Sequence, residues 1–293
     1  MDLLSIDSLT DEQIGAILDR ADHFFGAKLI ADSVTVLNGK LVFNLFYENS
    51  TRTLMSFATA SHRLGASLVT MPVEQSSVKK GESLGDTART LNAMGPDLLV
   101  IRHGTNGAPT AVAEIMDAPV VNAGDGTNEH PTQALLDAAT IRRRFGKIEG
   151  LKIAICGDIK HSRVARSNTK LLTRLGAEVR LAGPAELMPE ELPQLTVDQA
   201  IDGADVVMML RVQRERLESD LGDAPGEFLR RYGLTADRLE RAARGAVVMH
   251  PGPMNRGVEI DGAIADDPER SLITMQVAMG VAVRMACLEL LLA

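Results

Sequence analysis

Several patterns are missing from the 293-residue sequence, and each absence excludes a class of protein. The two cysteines, Cys156 and Cys287, form neither a CxxC motif nor an even cluster. A disulfide framework is therefore not indicated, and both residues are interpreted as buried apolar side chains of a cytoplasmic protein. Residues 1–7 contain acids and no basic stretch, which excludes a signal peptide. No uncharged apolar run approaches the ~18 residues that span a bilayer.

Basic residues are also in short supply. The sequence has 31 Lys and Arg against 39 Asp and Glu, so its formal net charge is −8. This balance argues against binding to nucleic acid and against a polybasic contact with a membrane surface. Taken alone, it also favours a partner that is not strongly anionic. The 45% hydrophobic content allows a real core, and the length suggests about two domains.

Three kinds of site motif are absent from the sequence. There is no GxxxxGK[ST] phosphate loop and no GxGxxG dinucleotide fingerprint, so nicotinamide binding is disfavoured. No set of Cys and His stands at metal-ligand spacing, and Asp125 with Glu129 alone does not make a metal site. We therefore expect neither a cofactor nor a metal.

What the sequence does contain is an alternation of apolar strands and helices. Near-continuous apolar strands separated by helices are typical of parallel sheets covered on both faces. The pattern predicts an α/β protein with two consecutive parallel-sheet domains, whose C-terminal helix returns to the first domain. The expected bounds are residues 1–131 with about 279–293 for the first domain and 132–278 for the second.

Ligands of parallel sheets bind beyond the carboxyl ends of the strands, so the loops after the strands are the candidate sites. One such loop, residues 48–53, crowds hydroxyls and Arg52 into the first turn of a helix. Simple N-capping would explain the hydroxyls, but a cation at a helix N-terminus opposes the helix dipole unless an anion binds there. Arginines also follow three other strands: Arg102, Arg163 and Arg211. Their guanidinium groups can bind phosphate and carboxylate through two hydrogen bonds at once. These residues therefore point to an anionic ligand, contrary to the expectation from net charge.

Three further loops are ambiguous by composition. Residues 76–82 favour an exposed turn with solvated lysines. Residues 122–133 form a Gly-rich turn that leads to His130 and Gln133 on one helical face, where His130 could simply be a cap. In residues 250–253, two prolines keep the backbone extended, which could present carbonyls to a ligand.

Seven segments, taken together, resemble the aspartate/ornithine carbamoyltransferase family. They occur in family order over nearly the whole chain: residues 50–53, 76 with 80–82, 102–103, 130–133, 163, 211–213 and 250–253. Ser-Thr-Arg-Thr and His-Pro-Thr-Gln are shared by both branches of the family, whereas the Lys80 loop and Arg-Val-Gln resemble the aspartate branch. Only this resemblance turns the Lys80 loop from an exposed turn into a functional segment.

The resemblance implies carbamoyl transfer from carbamoyl phosphate to L-aspartate in pyrimidine synthesis, without a cofactor. It implies a phosphate site of Ser50, Thr51, Arg52, Thr53 and Arg102, with Ser76 and Lys80 contributed by a neighbouring subunit of a homotrimer. It implies that His130 and Thr53 polarise the carbamoyl carbonyl and that Gln133 holds the carbamoyl amide. It assigns the aspartate carboxylates to Lys80, Arg163, Arg211 and Gln213, and contacts with the amino or carbamoyl group to the carbonyls of Gly252 and Pro253. It also implies a bridge between the domains from Glu48 to Arg163 and Arg216.

Gly252 and the residues after Pro253 depart from the pattern of the enteric members. They resemble another branch, in which some members associate with a dihydroorotase or a dihydroorotase-like chain, so an association with such a chain or with a regulatory chain stays open. Two rival hypotheses also stay open: a carbamoyltransferase for ornithine or another amine, and a non-catalytic anion-binding subunit.

Overall fold

The computed structural model describes residues 1–27, 35–73, 76–212 and 226–292, and helices and strands alternate through these ranges. The helices are α1 Asp11–Gly26, α2 Thr51–Arg63, α3 Leu84–Asn92, α4 Ala108–Ala113, α5 Pro131–Phe145, α6 Arg163–Arg174, α7 Val197–Ile201, α8 Glu227–Tyr232, α9 Ala236–Leu239, α10 Gly262–Ala265 and α11 Ile273–Leu292. The strands are β1 Leu41–Phe46, β2 Ser67–Met71, β3 Leu98–His103, β4 Val120–Asp125, β5 Lys152–Cys156, β6 Glu178–Ala182, β7 Val206–Met209 and β8 Val247–Met249. Single 3-10 turns cover Thr35–Leu37, Ser77–Lys80 and Ala185–Leu187.

Hydroxyl caps fix where several helices begin. A capping box opens α1, where the Gln13 amide donates to Thr10 Oγ1 at 3.2 Å and the Thr10 amide donates to Gln13 Oε1 at 2.8 Å. Ser50, Ser83 and Ser162 cap α2, α3 and α6 by accepting from the third backbone N–H of each helix. These caps satisfy N–H groups that have no partner inside the helix.

The first compact unit runs from Met1 to Ala139 and takes in the end of the chain from Val277. Its sheet has four parallel strands in the order β2-β1-β3-β4. All six residues of β4 and the first four of β3 are buried. Strands buried on both faces explain why the sequence shows apolar runs there instead of an alternation.

The second compact unit runs from Thr140 to Gln276 and repeats this plan. Its four parallel strands lie in the order β6-β5-β7-β8, with Cys156 opposite Met209 at the carboxyl ends of β5 and β7. Every residue of β7 and β8 is buried. The predicted fold class, two consecutive parallel-sheet units in an α/β protein, is confirmed.

The division between the units falls inside α5, after Ala139, whereas the sequence placed it at Pro131. The first two turns of α5 pack into the first unit, since Arg284 of α11 donates to Thr132 Oγ1 at 3.4 Å. The helix α11 therefore returns to the first unit as predicted, and Arg20 of α1 also pairs with Glu289 at 2.5 Å.

By length and composition alone, α11 could cross a membrane, and it is the one such helix in the described part of the chain. Core helices of this kind pass the same test, and 56% of its most apolar stretch is buried in the structure. Cys287 lies within it and is completely buried, as is Cys156 in β5. Both cysteines are free, as the sequence predicts.

Candidate active site

The carboxyl edge of the first sheet gathers the candidate residues of the first unit. Phe46 at the end of β1 lies opposite Arg102 in β3, and the Tyr47 amide donates to the Arg102 carbonyl at 2.8 Å. On the other side of β3, the Gly126 amide donates to the His103 carbonyl at 2.9 Å. The loops that follow β1, β3 and β4 are therefore neighbours, because their strands are adjacent in the sheet.

The turn at residues 50–53 combines capping with an open anion site. Ser50 Oγ accepts from the Thr53 amide at 3.4 Å and donates to Thr53 Oγ1 at 2.9 Å. Because Thr53 Oγ1 accepts this bond, its own proton is available for another acceptor. Thr51 and Arg52 are exposed beside it. Ser50 is a helix cap, as the simpler explanation predicts, and the turn still presents N–H groups and hydroxyls outward, where an anion could bind.

Arg52 lies in this first turn without a counter-charge. Its guanidinium makes no hydrogen bond or ion pair with any residue of the described ranges. Partial desolvation lowers the pKa of Arg52 below its ordinary value. An anion bound at the turn would offset both the desolvation and the unfavourable position at the positive end of the helix dipole.

Arg102 is held from two sides. Its Nη1 donates to the Ala123 carbonyl at 3.1 Å, and its Nε lies 3.5 Å from Glu48 Oε2. The side chains of Arg102 and Glu48 are 13% and 24% exposed, so the pair is mostly buried. Burial lowers the pKa of His103, which favours the neutral ring and leaves Arg102 as the cation.

His130 and Gln133 are positioned by the turn after β4. Asp125 organises this turn through its two oxygens: Oδ2 accepts from the Gly107 amide at 2.7 Å, and Oδ1 accepts from the Glu129 amide at 3.1 Å. His130, 4% exposed, stands just before α5. Gln133, in the first turn of α5, donates from Nε2 to Asp137 Oδ1 at 3.0 Å. Asp125 thus acts on the backbone of the turn, a role that the sequence did not reveal.

Ser76 and Lys80 lie after the edge strand β2. Ser76 Oγ accepts from the Val78 amide and donates to the Val73 carbonyl at 2.7 Å, so it caps the 3-10 turn that ends at Lys80. Lys80 is exposed, and no hydrogen bond or ion pair to it is found in the residues that the structure covers. Within one chain the segment is therefore the solvated turn that its composition predicts.

In the second unit, Arg163 and Arg211 follow two adjacent strands. Arg163 begins α6 after β5, and Arg211 follows β7, its neighbour in the sheet. The loops approach closely at Gly157, which has φ +133°, and a Cβ there would lie 2.8 Å from the Leu210 carbonyl oxygen. Both arginines therefore stand at the same edge of the second sheet. Gln213 and Arg216 lie outside the described residues.

The turn at residues 250–253 follows β8 at this edge and is held by a buried pair. The Gly252 amide donates to His250 Nδ1 at 2.8 Å, so Nδ1 is an acceptor and the ring proton lies on Nε2. That Nε2 faces Glu259 Oε1 at 3.3 Å, and both side chains are fully buried. Glu259 also accepts from the Asn255 amide. The sequence did not identify Glu259, because an acid nine residues beyond the histidine carries no motif.

No cluster of three or more His, Cys, Asp or Glu that could hold a metal ion occurs among the residues described. The candidate residues at the two sheet edges instead carry guanidinium groups, hydroxyls, imidazoles and amides. This set suits phosphate and carboxylate groups. Two parallel-sheet units that present such groups beyond their strands define an α/β protein for small anionic ligands.

The comparisons with known proteins specify that class. Residues 1–143 match the family described as aspartate/ornithine carbamoyltransferase, carbamoyl-P binding domain. Residues 149–291 match its partner family, the Asp/Orn binding domain. The chain belongs to the aspartate/ornithine carbamoyltransferase family.

Similar proteins include the aspartate carbamoyltransferase catalytic subunits of Rhizorhabdus wittichii and Granulibacter bethesdensis. The first is 56% identical and the second 55%, over 99% of this chain and 94% of each relative. Among solved structures, aspartate transcarbamoylase from Trypanosoma cruzi in complex with carbamoyl phosphate and aspartate is 33% identical. It superposes with a TM-score of 0.88 over 100% of this chain and 97% of that one.

Proposed function

We propose that this chain transfers the carbamoyl group of carbamoyl phosphate to the amine of L-aspartate, giving N-carbamoyl-L-aspartate and phosphate in pyrimidine biosynthesis. The family and the names of the relatives support the aspartate reaction. A solved structure of the Trypanosoma cruzi protein contains carbamoyl aspartate and phosphate, the products of this transfer. The observation that carries the proposal is the guanidinium of Arg52 in the hydroxyl-rich first turn of α2, which pairs with no residue in the described part of the chain.

The phosphate end of carbamoyl phosphate would be bound by Ser50, Thr51, Arg52, Thr53 and Arg102. The turn supplies backbone N–H groups and hydroxyls, and the two arginines supply positive charge. The geometry favours this role because Thr53 keeps a hydroxyl proton to donate while Ser50 caps the helix.

The carbamoyl end would be held by Thr53, His130 and Gln133. Thr53 and His130 polarise the carbonyl, where negative charge develops as the amine attacks. Gln133 donates to Asp137, so its Oε1 faces away from that bond and can accept from the carbamoyl N–H₂. The carbonyls of Gly252 and Pro253 would contact the same group or the attacking amine.

The carboxylates of aspartate would be bound by Arg163, Arg211, Gln213 and Lys80. A bond forms between the aspartate nitrogen and the carbamoyl carbon as the bond from that carbon to the phosphate oxygen breaks. The departing phosphate accepts the amine proton, so a side-chain base is unnecessary. Catalysis then rests on orientation and on cations around the developing charge.

The test is to measure phosphate release from carbamoyl phosphate with either L-aspartate or L-ornithine as the acceptor. We expect release with aspartate and none above background with ornithine. Release with ornithine alone would assign the chain to the other branch of the family, and release with neither would favour a non-catalytic anion-binding subunit.

The proposal includes a cytoplasmic homotrimer with shared sites, in which Ser76 and Lys80 of one subunit complete the site of the next. Lys80 is exposed and makes no hydrogen bond or ion pair with any described residue, which supports this arrangement. Two free, buried cysteines are usual for a protein of the reducing cytoplasm. Association with a regulatory or dihydroorotase-like chain remains a separate hypothesis, supported only by the family branch.

Mixing two inactive variants tests the shared site. Lys80→Ala and Arg211→Ala chains, denatured and refolded together, should regain part of the wild-type turnover, because some hybrid sites receive both intact residues. Each variant refolded alone is the control. Hybrids that form but stay inactive would show that Lys80 and Arg211 act from the same chain.

A further inference from the structure

A buried arginine in α11 connects the two helices whose first turns carry the candidate carbamoyl phosphate site. Arg284 is 3% exposed in a mostly apolar helix. Its Nη1 donates to the Gly280 carbonyl at 3.1 Å, and its Nη2 donates to Thr132 Oγ1 at 3.4 Å. Its guanidinium carbon lies 5.0 Å from the centre of the Phe57 ring. A buried cation is retained only where specific groups compensate its desolvation.

The contacts lead directly to site residues. Phe57 lies one helical turn after Thr53 in α2, on the same face. Thr132 is the residue before Gln133 in the first turn of α5. The guanidinium therefore contacts both α2, whose first turn would bind phosphate, and α5, whose first turn would bind the carbamoyl amide.

The charge of Arg284 also bears on the orientation of Gln133. Asp137 is completely buried, and its carboxylate accepts from Gln133 Nε2 at 3.0 Å. Burial lowers the pKa of Arg284 to about 10, and Asp137 is one of the groups that favour its charged form. At neutral pH the guanidinium therefore remains a cation, within electrostatic range of Asp137. A carboxylate only accepts, so it holds the Gln133 amide with nitrogen inward and Oε1 outward.

Gly280 provides the space for this arrangement. A Cβ at position 280 would lie 2.8 Å from Arg284 Nη1, so alanine there would displace the guanidinium without removing its charge. The absence of a side chain at Gly280 thus allows the Arg284 guanidinium to pack against the backbone of α11.

We propose that Arg284 is a positioning residue for carbamoyl recognition, acting through Asp137 and Thr132 to present the Gln133 Oε1 to the carbamoyl N–H₂. The inference rests on the proposed function, since it names a determinant of specificity for the same site. Arg284 itself contacts no substrate in this scheme.

The test compares two acyl phosphates that differ at one group. Acetyl phosphate has a methyl in place of the carbamoyl N–H₂, so it cannot donate to Gln133. In Arg284→Gln we expect kcat/KM for carbamoyl phosphate, with aspartate as acceptor, to fall about tenfold or more relative to that for acetyl phosphate. Competitive inhibition by inorganic phosphate should change little, because phosphate does not reach Gln133.

Three other variants separate positioning from a general loss of structure. Arg284→Lys keeps the charge and should recover part of the preference for carbamoyl phosphate. Gly280→Ala should shift the preference in the same direction as Arg284→Gln, and it replaces that variant if glutamine prevents folding. Arg20→Gln is the matched control: it removes the other arginine that tethers α11, through Glu289, and should leave the preference unchanged.

The outcomes are distinguishable. A wild-type protein that transfers no carbamoyl group to aspartate overturns the proposed function and this inference with it. An active wild type whose preference between the two acyl phosphates is the same in Arg284→Gln and Gly280→Ala overturns the inference alone. The inference is also overturned if kcat/KM falls equally for both acyl phosphates while inhibition by inorganic phosphate weakens by the same factor. That pattern would indicate only structural damage.

Discussion

Replacing Arg52 with alanine should move activity and stability in opposite directions. Arg52 is exposed in the first turn of α2, and its guanidinium has no partner in the described ranges. Removing it therefore deletes no hydrogen bond or ion pair to the residues that the structure describes. It does delete a positive charge from the positive end of a helix dipole and, in the proposed site, one of the cations that stabilise phosphate as it departs.

The magnitudes follow from these two roles. A charge of the wrong sign at a helix end costs about 0.3–1 kcal/mol, so the free energy of unfolding of Arg52→Ala should stay the same or rise by about that amount. Loss of one charge-stabilising donor at a reacting centre typically lowers kcat about 10²–10³-fold, or about 2.7–4 kcal/mol. The same substitution should thus leave a protein that is at least as stable and nearly inactive.

Two measurements check this pair of expectations. Urea unfolding gives the change in stability, and initial rates with carbamoyl phosphate and aspartate give the change in kcat/KM. Arg89→Ala is a suitable control, because Arg89 is an exposed arginine of α3 that pairs with Asp86 at 2.8 Å and has no proposed role in the site. It should lose at most about 1 kcal/mol of stability and no activity.

Either of two results would refute the reasoning. Unchanged turnover in Arg52→Ala would remove Arg52 from the site. A loss of stability well above 1 kcal/mol would show that the guanidinium has a structural partner, and the loss of activity could then no longer be assigned to phosphate binding.

Three further predictions concern buried or strained positions. Burial raises the pKa of both Cys156 and Cys287 to about 12, so Ellman's reagent should label neither thiol until the protein unfolds; rapid labelling of the native protein would contradict this. The pKa of His103, followed by NMR, should lie below its ordinary 6.5. The neutral ring then stabilises the fold above pH 6.5, and this contribution is lost as the pH falls through the lowered pKa. The variant His103→Gln should lack that part of the pH dependence of stability. Equal acid sensitivity of the wild type and the variant would contradict the prediction. Gly157→Ala should lower the free energy of unfolding by about 1–3 kcal/mol, because alanine at φ +133° would be strained and would contact the Leu210 carbonyl; an unchanged urea midpoint would exclude that strain.

Local signals were sufficient for most of the fold. The Thr10 capping box and the buried strands are written in short stretches of sequence, and they appear where the pattern predicts them. Strand β4 nevertheless continues to Asp125, into the stretch of residues 122–133 that the sequence predicts as a turn. The glycine at position 124 resembled a loop signal, but Asn122 Oδ1 accepts from the Gly124 amide at 2.8 Å, and Asp125 pairs with His103 across a register shift.

The supporting residues of the site could not be found in this way. Arg284 looks like an interruption in an apolar helix, and Asp137 looks like the polar side of another. Each acquires its role only when α11 packs beside α5, more than a hundred residues away along the chain. The Lys80 loop shows the same limit, because the groups expected to use it belong to another subunit.

The discontinuous first unit has a consequence for the order of folding during synthesis. Unit two is a continuous segment, Thr140 to Gln276, whereas unit one needs helix α11, which is made after all of unit two. Domains generally fold as units, and usually in the order in which they leave the ribosome. Here the part that is synthesised first is completed last. Until α11 emerges, the apolar surface that it later covers around Phe57 stays uncovered, so the nascent first unit should be more prone to aggregation than the unit that follows it.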